Sequence, residues 1–182
     1  MNRQVRVEFV CGNRIIKAHR SDLGIVTAIA RQFSVGPSEA PERVEKQLQE
    51  NKNLRRKLQE KNKSLAGLLA RELYRQAREH QGLKIIRELF EDEELEFLKL
   101  FIQSLRAEGP CIALVGCRKG EQANLIFSQV ETSPHDLREI MAESCRLIEG
   151  KGGGVRNMAQ GGGRRASQLE NALSLAEQRI TS

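Results

Sequence analysis

The sequence has no tryptophan, one tyrosine and six phenylalanines among its 182 residues. Proteins that hold nucleic acid by stacking its bases need exposed aromatic side chains, so this mode of binding is disfavoured. The four cysteines form no CxxC pair, and we expect reduced, buried thiols rather than a disulfide framework. No signal-peptide segment opens the chain and no apolar run reaches the length of a membrane span, which favours a cytoplasmic protein.

Sequence motifs of catalytic sites are also missing. The chain has no GxxxxGK[ST] phosphate loop, and the pattern GxGxxG fails at Val155. Its three histidines, His19, His80 and His135, are far apart and form neither HxxxH nor HExxH, so we predict no metal site in this chain. The acidic run 91–96 stands at a helix start, where the helix dipole explains it. We therefore assign no catalytic residue.

The sequence does have a moderate excess of positive charge. Thirty lysines and arginines against twenty-four aspartates and glutamates give a net charge of +6. This balance suits a polyanionic partner, above all a nucleic acid, without establishing one.

The first half of the chain is predicted to be mainly helical. Residues 1–12 alternate apolar and charged side chains like a half-buried strand, but no partner strand follows them. Asn13 can then cap a helix that reaches Phe33, and a break rich in glycine and proline separates it from a helix over residues 42–80. In the second helix a heptad pattern of apolar residues is interrupted by asparagines and an arginine. We expect a helical hairpin that is partly coiled-coil-like, with a basic exposed face.

The second half alternates short strands and helices. We predict a strand at 83–89, a helix that ends at Gly109, and two strands over 111–130 joined by the turn "RKGEQ". A helix capped by Ser133, with Pro134 at its first position, and a final helix capped by Ser167 complete the order. These elements predict a compact α/β domain over residues 82–182.

A glycine-rich segment precedes the last helix. Seven of the fifteen glycines lie in "GKGGGVRNMAQGGG", residues 150–163. A flexible linker is one interpretation, but the apolar residues between the triplets and the capped helix that follows argue against it. The other is a short stretch around 155–160, flanked by the triplets, whose backbone N–H groups approach an anion closely. The predicted nucleic-acid-binding residues are Lys151, Gly152, Gly153, Gly154, Arg156, Asn157, Gln160, Gly161, Gly162, Gly163, Arg164 and Arg165.

This segment, placed after a strand hairpin and a helix, resembles the glycine-rich signature of the DHH-associated domain. That domain occurs at the C-terminus of alanyl-tRNA synthetases and of alanyl-tRNA editing proteins. The opening "VRVEFVCGNRIIKAHR" is similar to the last strand of the family's editing domain and the helix after it. The resemblance implies three parts: the last strand of a truncated editing domain (1–12), a helical hairpin or coiled-coil linker (13–81) and a DHH-associated domain (82–182).

The resemblance also implies a function in translation. The full-length protein would clear mischarged tRNA(Ala), and this chain would bind tRNA(Ala) and support a homodimer through its helices. Editing in that family uses a zinc site built from an HxxxH motif and a later Cys and His, which this chain lacks. Zinc, and ATP in the case of a synthetase, are therefore expected in the rest of a longer protein and not here.

Two alternatives stay open. The same domain type follows the catalytic half of DHH phosphoesterases, where it contacts substrate phosphate. "VRNMAQGGG" lacks the histidine of many phosphoesterase versions, which favours the tRNA branch. The other alternative is a structural module whose helices only dimerise the parent protein.

Overall fold

The computed structural model describes residues 12–182, and the chain divides into two compact units between Leu58 and Gln59. The predicted opening strand lies outside the described residues, apart from Gly12. In the first unit, helix α1 (Asn13–Gln32) is followed by helix α2 (Ala40–Gln76), which continues into the second unit. Two successive helices separated by a short break are thus confirmed.

The sequence predicts that α1 packs against α2 through apolar side chains, but these side chains remain exposed. Five apolar residues of one face of α1 are 38–52% exposed: Ile15, Ile16, Leu23, Val26 and Ile29. Ala30 is the buried residue of this helix. The leucines of α2 in the same unit do not cover that face either, because Leu48, Leu54 and Leu58 are themselves 63–67% exposed. Both apolar stripes therefore remain uncovered in the single chain.

The second unit is built on a six-stranded mixed sheet in the order β1-β2-β3-β4-β6-β5. Strands β2 and β3 are parallel and every other neighbouring pair is antiparallel. A mixed sheet with helices confirms the predicted α/β class. The strands are β1 (Arg78–His80), β2 (Leu83–Glu91), β3 (Cys111–Lys119), β4 (Gln122–Gln129), β5 (Gly150–Val155) and β6 (Met158–Gly163).

Helices cover both faces of this sheet. Helix α3 (Leu95–Glu108) and the end of α2 pack on one face, while α4 (Leu137–Leu147) and α5 (Leu169–Thr181) pack on the other. The central strand β3 is buried on both sides from Cys111 to Cys117, which explains why its sequence is an almost continuous apolar run. Each face therefore has its own hydrophobic core.

The end of α2 belongs to the core on the α3 face of the sheet. Ala66 and Ala70 are fully buried in it, and Leu69, Leu73 and Tyr74 pack against it. The Tyr74 hydroxyl lies close to the backbone of Gly109, where an added Cβ would be 2.2 Å from the hydroxyl oxygen. The second compact unit, which contains this core, begins at Gln59 within α2.

Three predicted helix boundaries are wrong. α2 ends at Gln76, because His80 lies in β1, which pairs with β2 across a tight turn. The cap of α4 is Asp136, whose side chain accepts a hydrogen bond from the backbone N–H of Arg138 at 3.0 Å. α5 starts at Leu169, since a short 3-10 helix occupies residues 166–168 where a cap was predicted at Ser167.

Candidate nucleic-acid interface

The glycine-rich segment forms the outer hairpin of the sheet. β5 and β6 pair from Gly150 opposite Gly163 to Val155 opposite Met158, and residues 156–157 make the turn. β6 pairs with β4 on its other side, so β5 is an edge strand. The prediction drawn from the sequence does not include this hairpin: residues 150–155 and 158–163 are paired strands, and Gly152 lies opposite Gly161.

Helix α4 explains several of the glycines. A Cβ at Gly161 would lie 2.3 Å from Cys145 Sγ and 2.9 Å from Met141 Sδ, and a Cβ at Gly152 would lie 2.8 Å from Cys145 Sγ. At Gly163 it would lie 2.1 Å from the carbonyl oxygen of the residue that follows α4. Real Cβ atoms essentially never make such contacts. These three positions therefore need glycine so that the helix can pack directly on the hairpin.

Two further glycines are required by the hairpin itself. A Cβ at Gly150 would lie 2.0 Å from the carbonyl oxygen of Gly162, and a Cβ at Gly154 would lie 2.3 Å from that of Met158. The sequence carries a signal for this arrangement, which the prediction of two flanking triplets overlooks. In each triplet region glycines recur at every second position, 150, 152 and 154 and then 161 and 163, which is the spacing of one strand face.

The opposite side of the hairpin is uncovered. We call it the open face; its residues are Lys151, Gly153, Val155, Gln160 and Gly162. A Cβ at Gly153 would meet nothing within 4 Å, so neither packing nor the hairpin requires glycine there. Lys151, Gln160 and Gly162 line a cleft of about 300 Å³ together with Asn124 on β4 and Leu95 at the start of α3. Among the described residues no carboxylate forms an ion pair with Lys151.

The turn of the hairpin is held by backbone groups. The Arg156 guanidinium donates hydrogen bonds to the carbonyl oxygens of residues 133–135, at 3.5, 2.9 and 3.4 Å. The Arg156 carbonyl accepts from the Gln129 side chain at 3.1 Å, and the Asn157 carbonyl accepts from the Gln129 backbone N–H at 3.0 Å. Arg156 and Asn157 therefore fix the turn to the segment before α4 and lie at the far end of the hairpin from Lys151.

A basic group lies at the other end of the hairpin. Arg164 and Arg165 follow β6 and both contact the carboxylate of Glu149, at 3.3 and 3.4 Å. They line a cavity of about 450 Å³ with Arg118 at the end of β3. The predicted binding residues thus separate into a packed face, an open face, a turn and a basic end.

The remaining reactive or titratable side chains of interest are cysteines and histidines. Cys111, Cys117 and Cys145 are buried and free, which confirms the prediction for these three; Cys11 lies outside the described residues. Burial raises the pKa of the Cys111 thiol to about 11, which keeps it protonated. His80 and His135, distant in sequence, interact in the fold: burial and then the neighbouring His80 lower the pKa of His135.

Neither a metal-binding cluster nor a membrane-spanning helix is found among residues 12–182. No cluster of three or more His, Cys, Asp or Glu side chains in this range could hold a metal ion. No helix in the same range is long and apolar enough to cross a bilayer.

Comparison with known proteins places these elements in a family. Residues 105–182 match the DHHA1 domain. The alanine–tRNA ligase of Idiomarina loihiensis is 28% identical over 174 residues, which cover 94% of this chain and 20% of that protein. The alanine–tRNA ligase of Archaeoglobus fulgidus is 26% identical over 171 residues, covering 94% of this chain and 18% of that protein. The chain thus spans about a fifth of the length of the curated relatives it matches.

A solved structure supports the fold. The C-Ala domain from Aquifex aeolicus alanyl-tRNA synthetase superposes with a TM-score of 0.53 at 22% identity and covers 58% of this chain and 98% of that domain. Residues 105–182 therefore match the DHHA1 domain, and the chain has homologues among the alanine–tRNA ligases over about 94% of its length.

Proposed function

We propose that this chain binds tRNA(Ala) through the open face of the β5–β6 hairpin, as the C-terminal part of an alanine–tRNA ligase or of a free-standing alanyl-tRNA editing protein. The observation that carries the proposal is Gly153. Packing does not require glycine at this position, which lies opposite Gln160 and two residues after Lys151 on the same strand face. A backbone without side chains at this point permits the close approach of a phosphate.

The chemistry of the open face suits an RNA backbone. Lys151 supplies an exposed ammonium group, Gln160 supplies a directional amide, and the hairpin supplies main-chain N–H groups at its edge. None of these groups stacks on a base, which agrees with recognition by shape and by phosphate and 2′-hydroxyl contacts. The binding constant should therefore fall as salt rises. Each phosphate contact should add roughly 0.7–0.9 to the steepness of the plot of log binding constant against log salt concentration.

The test is tRNA(Ala) binding by the 182-residue chain over a range of salt concentrations. Lys151→Ala should weaken binding by about fivefold, equivalent to about 1 kcal/mol, and reduce the salt slope by about 1. Gly153→Val should weaken binding without loss of stability, because its side chain would occupy open space on the surface. Lys99→Ala is the matched control, since it removes another exposed lysine from the same unit.

Two results would refute this function. One is the absence of tRNA binding at low salt. The other is equal binding by the wild-type chain, Lys151→Ala and Gly153→Val, because the open face would then contribute nothing to the interaction.

We also propose that the chain forms a homodimer through the exposed apolar stripe of α1. Five aliphatic side chains at helical spacing that are 38–52% exposed favour a partner surface of the same kind. In sedimentation equilibrium, Leu23→Asp together with Ile29→Asp should give a monomer. Ser21→Asp, on the opposite side of the helix, should leave the dimer intact. A wild-type chain that stays monomeric at high concentration would exclude this assembly.

The activity of the longer protein is a further part of the proposal. We propose that it acts in the cytoplasm on tRNA(Ala), with zinc for editing, and ATP in the case of a ligase, bound by residues outside this chain. Homology to alanine–tRNA ligases over nearly the whole chain supports this assignment.

A further inference from the structure

The basic end of the hairpin contains a cavity that the open face does not use. It lies between the β3–β4 turn at Gly120 and the connection from β6 to α5, and we call it the arginine cavity. Arg118, Arg164 and Arg165 all line it, Ser167 adds a hydroxyl group and Glu121 adds a carboxylate. Its volume of about 450 Å³ leaves ample room for a phosphate group.

Each of these three guanidinium groups contacts a glutamate carboxylate in the structure. Glu91 contacts Arg118 at 3.4 Å, and Glu149 contacts both Arg164 and Arg165. These distances are longer than the roughly 2.7–2.9 Å of strong charge-assisted hydrogen bonds. Arg164 is 84% exposed, so solvent screens its pair with Glu149 and the contact contributes little to stability.

Glu149 adopts an unusual backbone conformation. It lies between α4 and β5 with φ at +52°, in the left-handed region that glycine and asparagine favour and glutamate seldom adopts. A glutamate occupies this position although the next residue is glycine. Its carboxylate contacts both arginines, and this contact accounts for a glutamate in an unfavourable backbone conformation.

Arg118 adds an independent observation. Among the described residues its buried Nε has no hydrogen-bond partner, and Arg118 is one of the residues that line the cavity. A buried donor without an acceptor is unfavourable unless a ligand or water supplies one. Phosphate oxygens are suitable acceptors, because guanidinium groups bind phosphate with paired, parallel hydrogen bonds.

We propose that the arginine cavity binds one phosphate group of the tRNA backbone, and that the Glu149 carboxylate occupies Arg164 and Arg165 until this phosphate displaces it. The inference rests on the proposed function and adds a second contact point, at the end of the hairpin, to the open face. Glu149 then lowers the affinity for RNA, since its carboxylate must be displaced before a phosphate can contact the two arginines.

Glu149→Gln tests this inference because it removes the charge and keeps the size of the side chain. We expect tRNA(Ala) to bind about three- to tenfold more tightly, with the salt slope changed by no more than about 0.9, since the cavity makes one phosphate contact. Glu131→Gln is the matched control: it makes the same charge change at the opposite end of β4 and should have a much smaller effect. Arg118→Gln should weaken binding in the wild-type background.

A second measurement follows the arginine Nε–H signals by NMR during titration with inorganic phosphate or with tRNA(Ala). Both ligands should shift the signals of Arg118, Arg164 and Arg165, and Glu149→Gln should lower the concentration needed. If phosphate shifts these signals and tRNA does not, the cavity holds a free anion and the RNA assignment is overturned. If neither ligand shifts them, there is no phosphate site.

The two proposals can fail separately. Equal binding by Glu149→Gln and Glu131→Gln, with Lys151→Ala still defective, overturns the arginine cavity and leaves the open face standing. Loss of all tRNA binding refutes the open face, and the phosphate titration then decides whether the cavity binds the anion at all.

Discussion

The contact between α4 and the glycine hairpin predicts opposite effects for two superficially similar substitutions. Gly161→Ala places a methyl carbon 2.3 Å from Cys145 Sγ, well short of ordinary van der Waals contact, with Met141 Sδ and the Gly152 backbone also within 3.0 Å. Helix and hairpin must therefore separate, which costs about 1–3 kcal/mol. Gly153→Ala meets nothing within 4 Å and should stabilise the protein by about 0.4–1 kcal/mol, because alanine restricts the unfolded chain.

Equilibrium unfolding in urea measures this difference. Tyr74 is the single tyrosine of a chain without tryptophan and packs against the core on the α3 face of the sheet, so its fluorescence reports the unit that contains the hairpin. The midpoint should fall for Gly161→Ala and rise slightly for Gly153→Ala, with the free energies of unfolding separated by about 2 kcal/mol. Adding Cys145→Ala to Gly161→Ala removes the Sγ atom and should recover part of the loss in a double-mutant cycle.

The reasoning would be refuted by equal free energies of unfolding for the two alanine variants, within about 0.5 kcal/mol. An additive double mutant would contradict it as well, since a direct clash between positions 145 and 161 requires coupling.

Three further predictions concern the same unit. Arg156→Ala should destabilise it by about 1–2 kcal/mol through loss of the carbonyl contacts that hold the turn, and Arg156→Lys should not restore them, as hydrogen exchange of the turn amides can measure. Hydrogen bonding to Arg138 holds the pKa of Asp136 down at about 2, so its capping of α4 should be present above about pH 4 and lost as pH falls towards 2. A carboxyl titration that shows an ordinary pKa would disprove this. Thiol labelling followed by peptide mass spectrometry should leave three cysteines unmodified in the native protein and label them after unfolding: Cys111, Cys117 and Cys145.

Much of the sheet could be predicted from the sequence because its local signals agree with its tertiary setting. The apolar run of β3 and the turn at Gly120 indicate a strand hairpin, and Gly109 marks the end of α3. β1 could not be predicted in the same way, because "REH" is short, polar and continuous with a helical pattern. Its pairing with β2, from Arg78 opposite Ile85, overrides the local preference.

The candidate site shows the same limit. The composition of residues 150–163 predicts a special backbone, but not that three of its seven glycines pack against α4 or the residue after it. The partners of the Arg156 guanidinium are carbonyl groups more than twenty residues earlier, a contact that no local pattern encodes. The cap of α4 is Asp136 instead of Ser133, because the helix begins only at Leu137.

The direct packing of α4 on the glycines has a thermodynamic consequence for any partner of the open face. A segment in which half of the residues are glycine ordinarily loses much conformational entropy when a ligand orders it. Here the helix already fixes Gly152 and Gly161 from behind, so that loss occurs when the domain folds. A phosphate that reaches the front of the hairpin meets a preorganised backbone, and the entropy of association is then confined to the two molecules and a few long side chains.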